Sequence, residues 1–310
     1  MAAMQSPVIQ AKKRSRITPF DIINIVLLLF LTFLCLYPLY YTVIASFSDY
    51  NAVATGNVLL APVGFQLTAY QAVFENQQIW IGYRNTLLYT IGGTAFNIFL
   101  TIPAAYAMSK KRMLGHTFFT WFFLITMYFS GGMIPTYLLN KTLGLVNNPL
   151  IMVISGGLSI YNMIVTRTFF QNSIPESLYE ASRIDGCNEL SIFFRIALPL
   201  SMPIVAVMCL YYAVGHWNGY FTAMIYLTKT QYQPLSLVLR RILIMNQEAL
   251  TDAMSADLDA ALIADAAARA NLVVTMKYAL VLIASLPMLI MYPFVQKHFV
   301  KGVMVGSVKG

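Results

Sequence analysis

Residues able to do chemistry are concentrated in two stretches. Between Ser173 and Pro203 the chain reads SIPESLYEASRIDGCNELSIFFRIALPLSMP, in which Glu180, Asp185 and Gly186 stand close together. Further on come Tyr211, Tyr212, His216, Trp217, Asn218 and Tyr220, the densest aromatic and amide cluster in any apolar block. Charged groups beside a glycine turn can dock a partner protein. Aromatic faces beside amides and hydroxyls suit a sugar ring and its hydroxyl groups, although core packing is the commoner use of such side chains. Tyr212, Trp217, Asn218 and Tyr220 are the candidates for a substrate pathway.

Catalytic signatures are missing. A P-loop needs Gly followed by Lys, and no Gly-Lys pair occurs in the chain. Neither HExxH nor GxSxG is present. Cys35, Cys187 and Cys209 have no metal-ligand or redox spacing, so no metal site and no disulfide framework is expected. The chain is therefore expected to be non-catalytic and to hold no cofactor.

The elements that must position these residues are membrane helices. Of the 310 residues, 58% are hydrophobic and 10% charged, and the apolar residues come in long blocks. Crossing about 30 Å of hydrocarbon takes roughly 20 apolar residues, and six blocks meet that length: Ile22 to Phe47, Leu87 to Ser109, Thr117 to Leu139, Leu150 to Phe170, Pro203 to Leu227 and Leu272 to Val295. The first is too long for a cleaved signal peptide. Proline occurs in or beside most blocks, at Pro38, Pro103, Pro135, Pro203, Pro287 and Pro293, which predicts bent helices around an internal path.

Charge orients the bundle. With the N-terminus inside, thirteen Lys and Arg fall on the cytoplasmic side and seven outside, which places both termini in the cytoplasm. The net charge of +8 is then read as topology and contact with membrane lipid rather than nucleic-acid binding. The expected layout is a cytoplasmic tail 1–20, a six-span region 21–295 with a cytoplasmic loop 173–203 and an outer loop 228–271, and a cytoplasmic tail 296–310. The run Asn246 to Arg269 in the outer loop reads as helix too polar to span. The spans hold no Asp or Glu, and His216, Lys277 and Arg167 are their only titratable candidates for ion coupling. A secondary transporter or a membrane enzyme is the weaker alternative.

The loop 173–203 reads as helix, turn, helix. Ser173 and Glu176 have capping-box spacing with Pro175 early, predicting a helix of about twelve residues. Gly186 can supply the left-handed residue that ends it. A second helix starts at Asn188, carries Leu190, Phe193, Phe194 and Ala197 on one face, and stops before Pro199. The product is a projecting elbow, suited either to a groove on another protein or to the membrane interface.

Glu180-Ala181-Ser182, Asp185-Gly186 and Ile196-Ala197-Leu198-Pro199 resemble the EAA motif of binding-protein-dependent ABC importer permeases, with Ser182 where Ala is usual. The stretches from Phe129 to Leu139 and from Met291 to Gly310 are similar to the branch containing the second maltose-type permease and the LplC-like polysaccharide permeases. This resemblance implies an all-α membrane protein of the type I importer permease fold in a bacterial inner membrane. It implies a second related permease subunit, two ATPase subunits carrying ATP and Mg, and an extracytoplasmic solute-binding protein that delivers an oligosaccharide. The elbow would be the coupling helix, with Glu180, Ala181, Ser182, Asp185, Gly186, Leu198 and Pro199 as its coupling residues. The outer basic residues permit an anionic sugar such as alginate fragments.

The topology has a direct check. In otherwise cysteine-free protein in sealed cells, an impermeant thiol reagent added outside should label Gly56→Cys and Asp257→Cys but not Gly186→Cys. Outside labelling at position 186 would reject the orientation.

Overall fold

The computed structural model describes residues 18–255 and 260–307, whose regular structure is helical throughout. Lys12, Lys13, Arg14, Arg16 and Lys309, five of the thirteen basic residues counted as cytoplasmic, and Asp257 lie outside the described residues. Helix α1 (Pro19–Ser46) starts at a capping box: Thr18 Oγ1 accepts from Asp21 N at 3.3 Å, and Asp21 Oδ2 accepts from Thr18 N at 2.7 Å. Only its last turn, Ile44 to Ser46, is buried. The turns before it touch this chain on one side, Tyr37 and Tyr40 donating to the carbonyls of Leu59 and Leu60 and Tyr41 packing edge-on to Tyr278 of the last helix, while the N-terminal two thirds is an exposed apolar cylinder. The short helices α2 (Tyr50–Ala54) and α3 (Thr68–Glu75) lead into α4 (Gln77–Ser109), a 33-residue helix.

The following blocks are interrupted. Helices α5 (His116–Tyr128) and α6 (Met133–Thr142) meet at 111° across Gly131 and Gly132. The block expected over 150–170 is divided into α7 (Leu150–Ile154) and α8 (Ile160–Ser173), with Gly156 at φ 70° between them. After the loop helices α9 (Glu176–Ile184), α10 (Glu189–Ile192) and α11 (Leu198–Leu200), the axis turns 78° into α12 (Met202–Trp217). Helix α13 (Tyr220–Tyr226) follows a break at Asn218 and Gly219. Then come α14 (Leu235–Ser255) and α15 (Ala260–Ser307).

By length and composition three helices among the described residues can cross a membrane, or five if each sharply bent pair counts as one span. Six uninterrupted spanning helices are thus not found among the described residues. The two sharpest interruptions do lie beside proline: Pro135 stands in the first turn of α6 after the 111° bend, and the 78° bend at Ser201 falls between Pro199 and Pro203. The helices run on through Pro38, Pro103, Pro287 and Pro293. Glycine adds to the breaks, since Gly132 and Gly156 sit at positive φ, which does not continue a helix. Helix α15 has 48 residues and continues past both expected limits, Asn271 and Val295, without a break. At 1.5 Å per residue it is about 72 Å long, more than twice the hydrocarbon thickness.

Helix α4 holds the bundle together, packing on α7, α8, α12 and α14. Its buried side includes Asn85, Thr86, Asn97 and Thr101, an unusually polar set for a spanning helix. Each answers a backbone or side-chain group elsewhere. Asn97 Nδ2 donates to the carbonyls of Gly156 and Gly157 at 3.1 and 2.8 Å, closing the gap between α7 and α8. Asn85 Nδ2 donates to the carbonyls of Gln231 and Gln233, Tyr89 to that of Tyr232, and Thr86 Oγ1 accepts from Leu235 N. Without these partners each buried polar backbone group would cost about 1–3 kcal/mol.

Replacing Asn97 with Leu orphans two carbonyls at once. Detergent-solubilised Asn97→Leu protein should lose about 2–4 kcal/mol of stability, read as a lower thermal melting point. Leu88→Ala on an exposed face should change little, and an unshifted melting point for Asn97→Leu would show that the clamp is dispensable.

Candidate functional site

The loop expected to project does form an elbow, with altered local detail. Ser173 ends α8, so the predicted capping box with Glu176 is not made; Pro175 is the cap residue of α9, which has nine residues rather than twelve. Glu176 instead lies 3.8 Å from Arg183. Gly186 takes φ 77°. Gly186 N donates to Arg183 O and Cys187 N to Ser182 O, each at 3.0 Å, the paired bonds of a Schellman turn. Open space surrounds the position where a Cβ would stand, so glycine is demanded by the backbone and not by crowding within this chain.

Asn188 caps α10, its Oδ1 accepting from Ser191 N at 2.8 Å. The helix does not stop before Pro199. A π turn over Phe193–Ala197, with Leu198 N reaching back to Phe193 O, carries the chain into α11 with Pro199 inside it. A proline in a regular α-helix clashes with the carbonyl four residues earlier, and the wider turn relieves that clash. The register changes as well. Ile192, Phe193 and Ala197 are buried, while Leu190 and Phe194, assigned above to the same face, are 69% and 61% exposed.

Polar and aromatic contacts fasten the elbow to α4. Arg183 donates to Glu189 Oε1 through Nε and Nη2 at 3.2 and 3.1 Å, and Tyr106 of α4 donates to Glu189 Oε2 at 3.3 Å. Tyr106 also packs on Phe170, Tyr179 and Phe193. Lys110, at the end of α4, stands over the Tyr179 ring and 4.9 Å from the Tyr106 ring centre. Burial pushes the Lys110 ammonium down to about 8, partly opposed by Glu176 and Glu189, and pushes the Tyr179 hydroxyl up to about 12.

Glu180, Ala181, Asp185, Gly186 and Pro199 are exposed, whereas Ser182 is buried with its hydroxyl on Leu178 O at 2.6 Å, and Leu198 is half-buried. Ile184, at the apex, is 87% exposed, an apolar side chain held out at the tip of the elbow. Sequence reasoning passed over Ile184, Arg183 with Glu189, and Lys110; an isoleucine immediately before Asp-Gly was the available signal for the first.

A cavity of about 220 Å³ lies at the breaks in the bundle, lined by Asn97, Met152, Ser155, Tyr211, Tyr212, His216 and Thr222 among others. Tyr212 lines it, its hydroxyl 2.7 Å from Thr101 Oγ1 and accepting from Ser159 N at 3.3 Å. His216 Nε2 lies 2.6 Å from Asn97 Oδ1, a hydrogen-bonded interior histidine. Trp217 packs edge-on to Tyr83, Asn218 donates to Val214 O in its own turn, and Tyr220 is exposed beside Phe221. These three are not brought into the cavity. No cluster of three or more His, Cys, Asp or Glu able to hold a metal occurs among the described residues.

Comparison with known proteins agrees with this geometry. Residues 79–305 match the family model described as the binding-protein-dependent transport system inner membrane component. The chain is 37% identical over 291 residues to the polygalacturonan/rhamnogalacturonan transport system permease protein YtcP of Bacillus subtilis, covering 94% of this chain and 98% of that one. It is 36% identical over 291 residues to Protein LplC of the same organism, covering 94% and 95%. A chain from the crystal structure of a bacterial ABC transporter involved in import of the acidic polysaccharide alginate superposes with a TM-score of 0.79 at 33% identity, covering 90% of this chain and 96% of that one. An all-helical bundle carrying an EAA-like elbow, matched along most of its length, belongs to the family of inner membrane components of binding-protein-dependent transport systems, the permease subunits of ABC transporters.

Proposed function

We propose that this chain is a non-catalytic subunit that turns ATP hydrolysis by partner subunits into inward passage of an acidic oligosaccharide. The observation that carries this reading is the elbow: an exposed apex of Ala181, Ile184, Asp185 and Gly186 on a base bolted to α4 through Tyr106, Glu189, Arg183 and Lys110. An apolar tip with a charged rim suits a groove on a partner protein. In this reading the groove belongs to one of two ATPase subunits, which hold ATP and Mg, and their closure moves the elbow as a rigid body. Because α4 carries the polar contacts that hold the breaks near the cavity, displacement of its inner end reaches the translocation path. The bundle then alternates between two packed states, biased by nucleotide. A second permease subunit completes the path through the bacterial inner membrane, both termini are cytoplasmic, and a solute-binding protein delivers the sugar outside.

The substrate class follows from the relatives, two of which are described by acidic polysaccharides. Tyr211, Tyr212, Ser155 and Thr222 offer aromatic faces and hydroxyls to a single sugar ring. The lining contains no Lys or Arg, so the acid groups would meet Arg240 and Arg241, which line a cavity on α14 on the proposed outer side.

Gly186→Val is the sharpest test. A β-branched residue resists positive φ at a cost of about 1–3 kcal/mol and adds bulk at the docking tip. Membrane insertion should be unchanged, while ATPase co-purification or uptake in reconstituted vesicles falls about tenfold or more. Glu180→Ala should give a milder loss, because it removes one charge without forcing the backbone. Normal assembly and normal uptake by Gly186→Val would mean that the elbow is not the coupling element.

A further inference from the structure

Arg167 occupies an unusual position. It lies on α8 with its Nε fully buried and without a hydrogen-bond partner, and no carboxylate of the described residues lies within 4.0 Å of its guanidinium. Around it is an apolar crevice lined by Met108, Phe123, Leu124, Met163 and Ile164. A guanidinium among methyl and aromatic groups is costly unless an anion answers it.

One turn along the same face of α8 stands Gln171, whose Nε2 lies 3.4 Å from Ser109 O. Here a second cavity of about 550 Å³ opens behind the elbow, bordered by Lys110, Lys111, Arg112 and Arg183, with Glu176 as its one carboxylate. The two cavities share the inner end of α4, Met108 in one and Ser109 to Arg112 in the other. Toward the membrane the groove is mainly apolar, with Thr120 and the half-buried Arg167 as its polar groups; toward the cytoplasm it is basic and open. That gradient matches a phospholipid, with acyl chain, phosphate and headgroup in order.

We propose that this groove is a binding site for an anionic phospholipid of the inner leaflet, its phosphate on Arg167 and its headgroup among Lys110, Lys111 and Arg112. The acyl chain lies along Phe123, Leu124 and Ile164. Since Lys110 also stacks on Tyr179 of the elbow, the bound lipid braces the joint between elbow and α4.

The experiment uses the purified full chain, stripped of lipid and equilibrated with phosphatidylcholine vesicles with or without phosphatidylglycerol, with retained lipid counted by native mass spectrometry. The wild-type chain should prefer phosphatidylglycerol by about fivefold or more, the value of one cation near an anionic surface. Arg167→Gln should lose that preference, Arg167→Lys should keep most of it, and Leu124→Trp should reduce retention of both lipids by filling the crevice. If Arg167→Gln fails to fold, the double variant of exposed residues Lys111→Gln and Arg112→Gln should still weaken the preference. Equal retention of the two lipids by the wild type, or an undiminished preference in the folded variants, would overturn the proposal. So would displacement of phosphatidylglycerol by inorganic phosphate, which would mark a plain anion site.

Discussion

Everything in this bundle depends on one requirement: a helix interrupted inside a membrane exposes amides and carbonyls that water cannot reach, and something must answer them. The answer is a single helix. Asn85, Thr86, Tyr89 and Asn97 of α4 take up the loose backbone at Gly156, Gly157, Gln231, Tyr232, Gln233 and Leu235. The cavity beside Tyr212 and His216 lies at these breaks, so the helix that repairs the backbone also shapes the cavity. Polarity that would weaken a lone spanning helix becomes, in this setting, the means by which the others can be discontinuous.

The same helix connects the cavity to the elbow. Its C-terminal end carries Tyr106 and Lys110 into the elbow, where Glu189 joins α4, α9 and α10 in one network. The aromatic packing of Tyr106 against Phe170, Tyr179 and Phe193 makes that joint stiff as well as polar. Most of these groups are partly exposed, so their electrostatic contribution is screened, and the joint's rigidity comes mainly from the buried rings. The elbow is thus tied to α4 by side chains as well as to α8 and α12 along the chain.

Much of this was legible in the sequence, and the failures have physical causes. Apolar blocks and the helix–glycine–helix pattern announced the class and the elbow, because burial period and positive φ are local properties of residue type. Gly186 was readable for that reason. The capping box at Ser173 was not realised because α8 runs on to that residue, and only tertiary packing decides where a helix ends. Proline marked both sharp bends, at Pro135 and Pro203, but not the interior of the long helices, where Pro38, Pro103, Pro287 and Pro293 are absorbed; glycine at positive φ was the signal passed over. The face expected of the second loop helix was not realised: a π turn at Phe193–Ala197 interrupts the 3.6-residue period, and Leu190 before it and Phe194 within it are both exposed. Trp217, Asn218 and Tyr220 share a chain segment with Tyr212 but do not line its cavity, Trp217 packing on Tyr83 and Asn218 bonding within its own turn.

The reach of the α4 contacts sets a timetable for the making of the protein. Asn85 is bonded to Gln233, 148 residues further along the chain. At bacterial synthesis rates of about 5–20 residues per second, that partner emerges roughly 7–30 s after Asn85 itself. During that interval α4 must remain in or beside the membrane with its amides unanswered, while α1, apolar on every side, has no such debt to wait out. The order of the helices along the chain is therefore also an order of dependence: the most polar spanning helix is made early, and it is completed only when the segment leading into α14 arrives, with α15 still to follow.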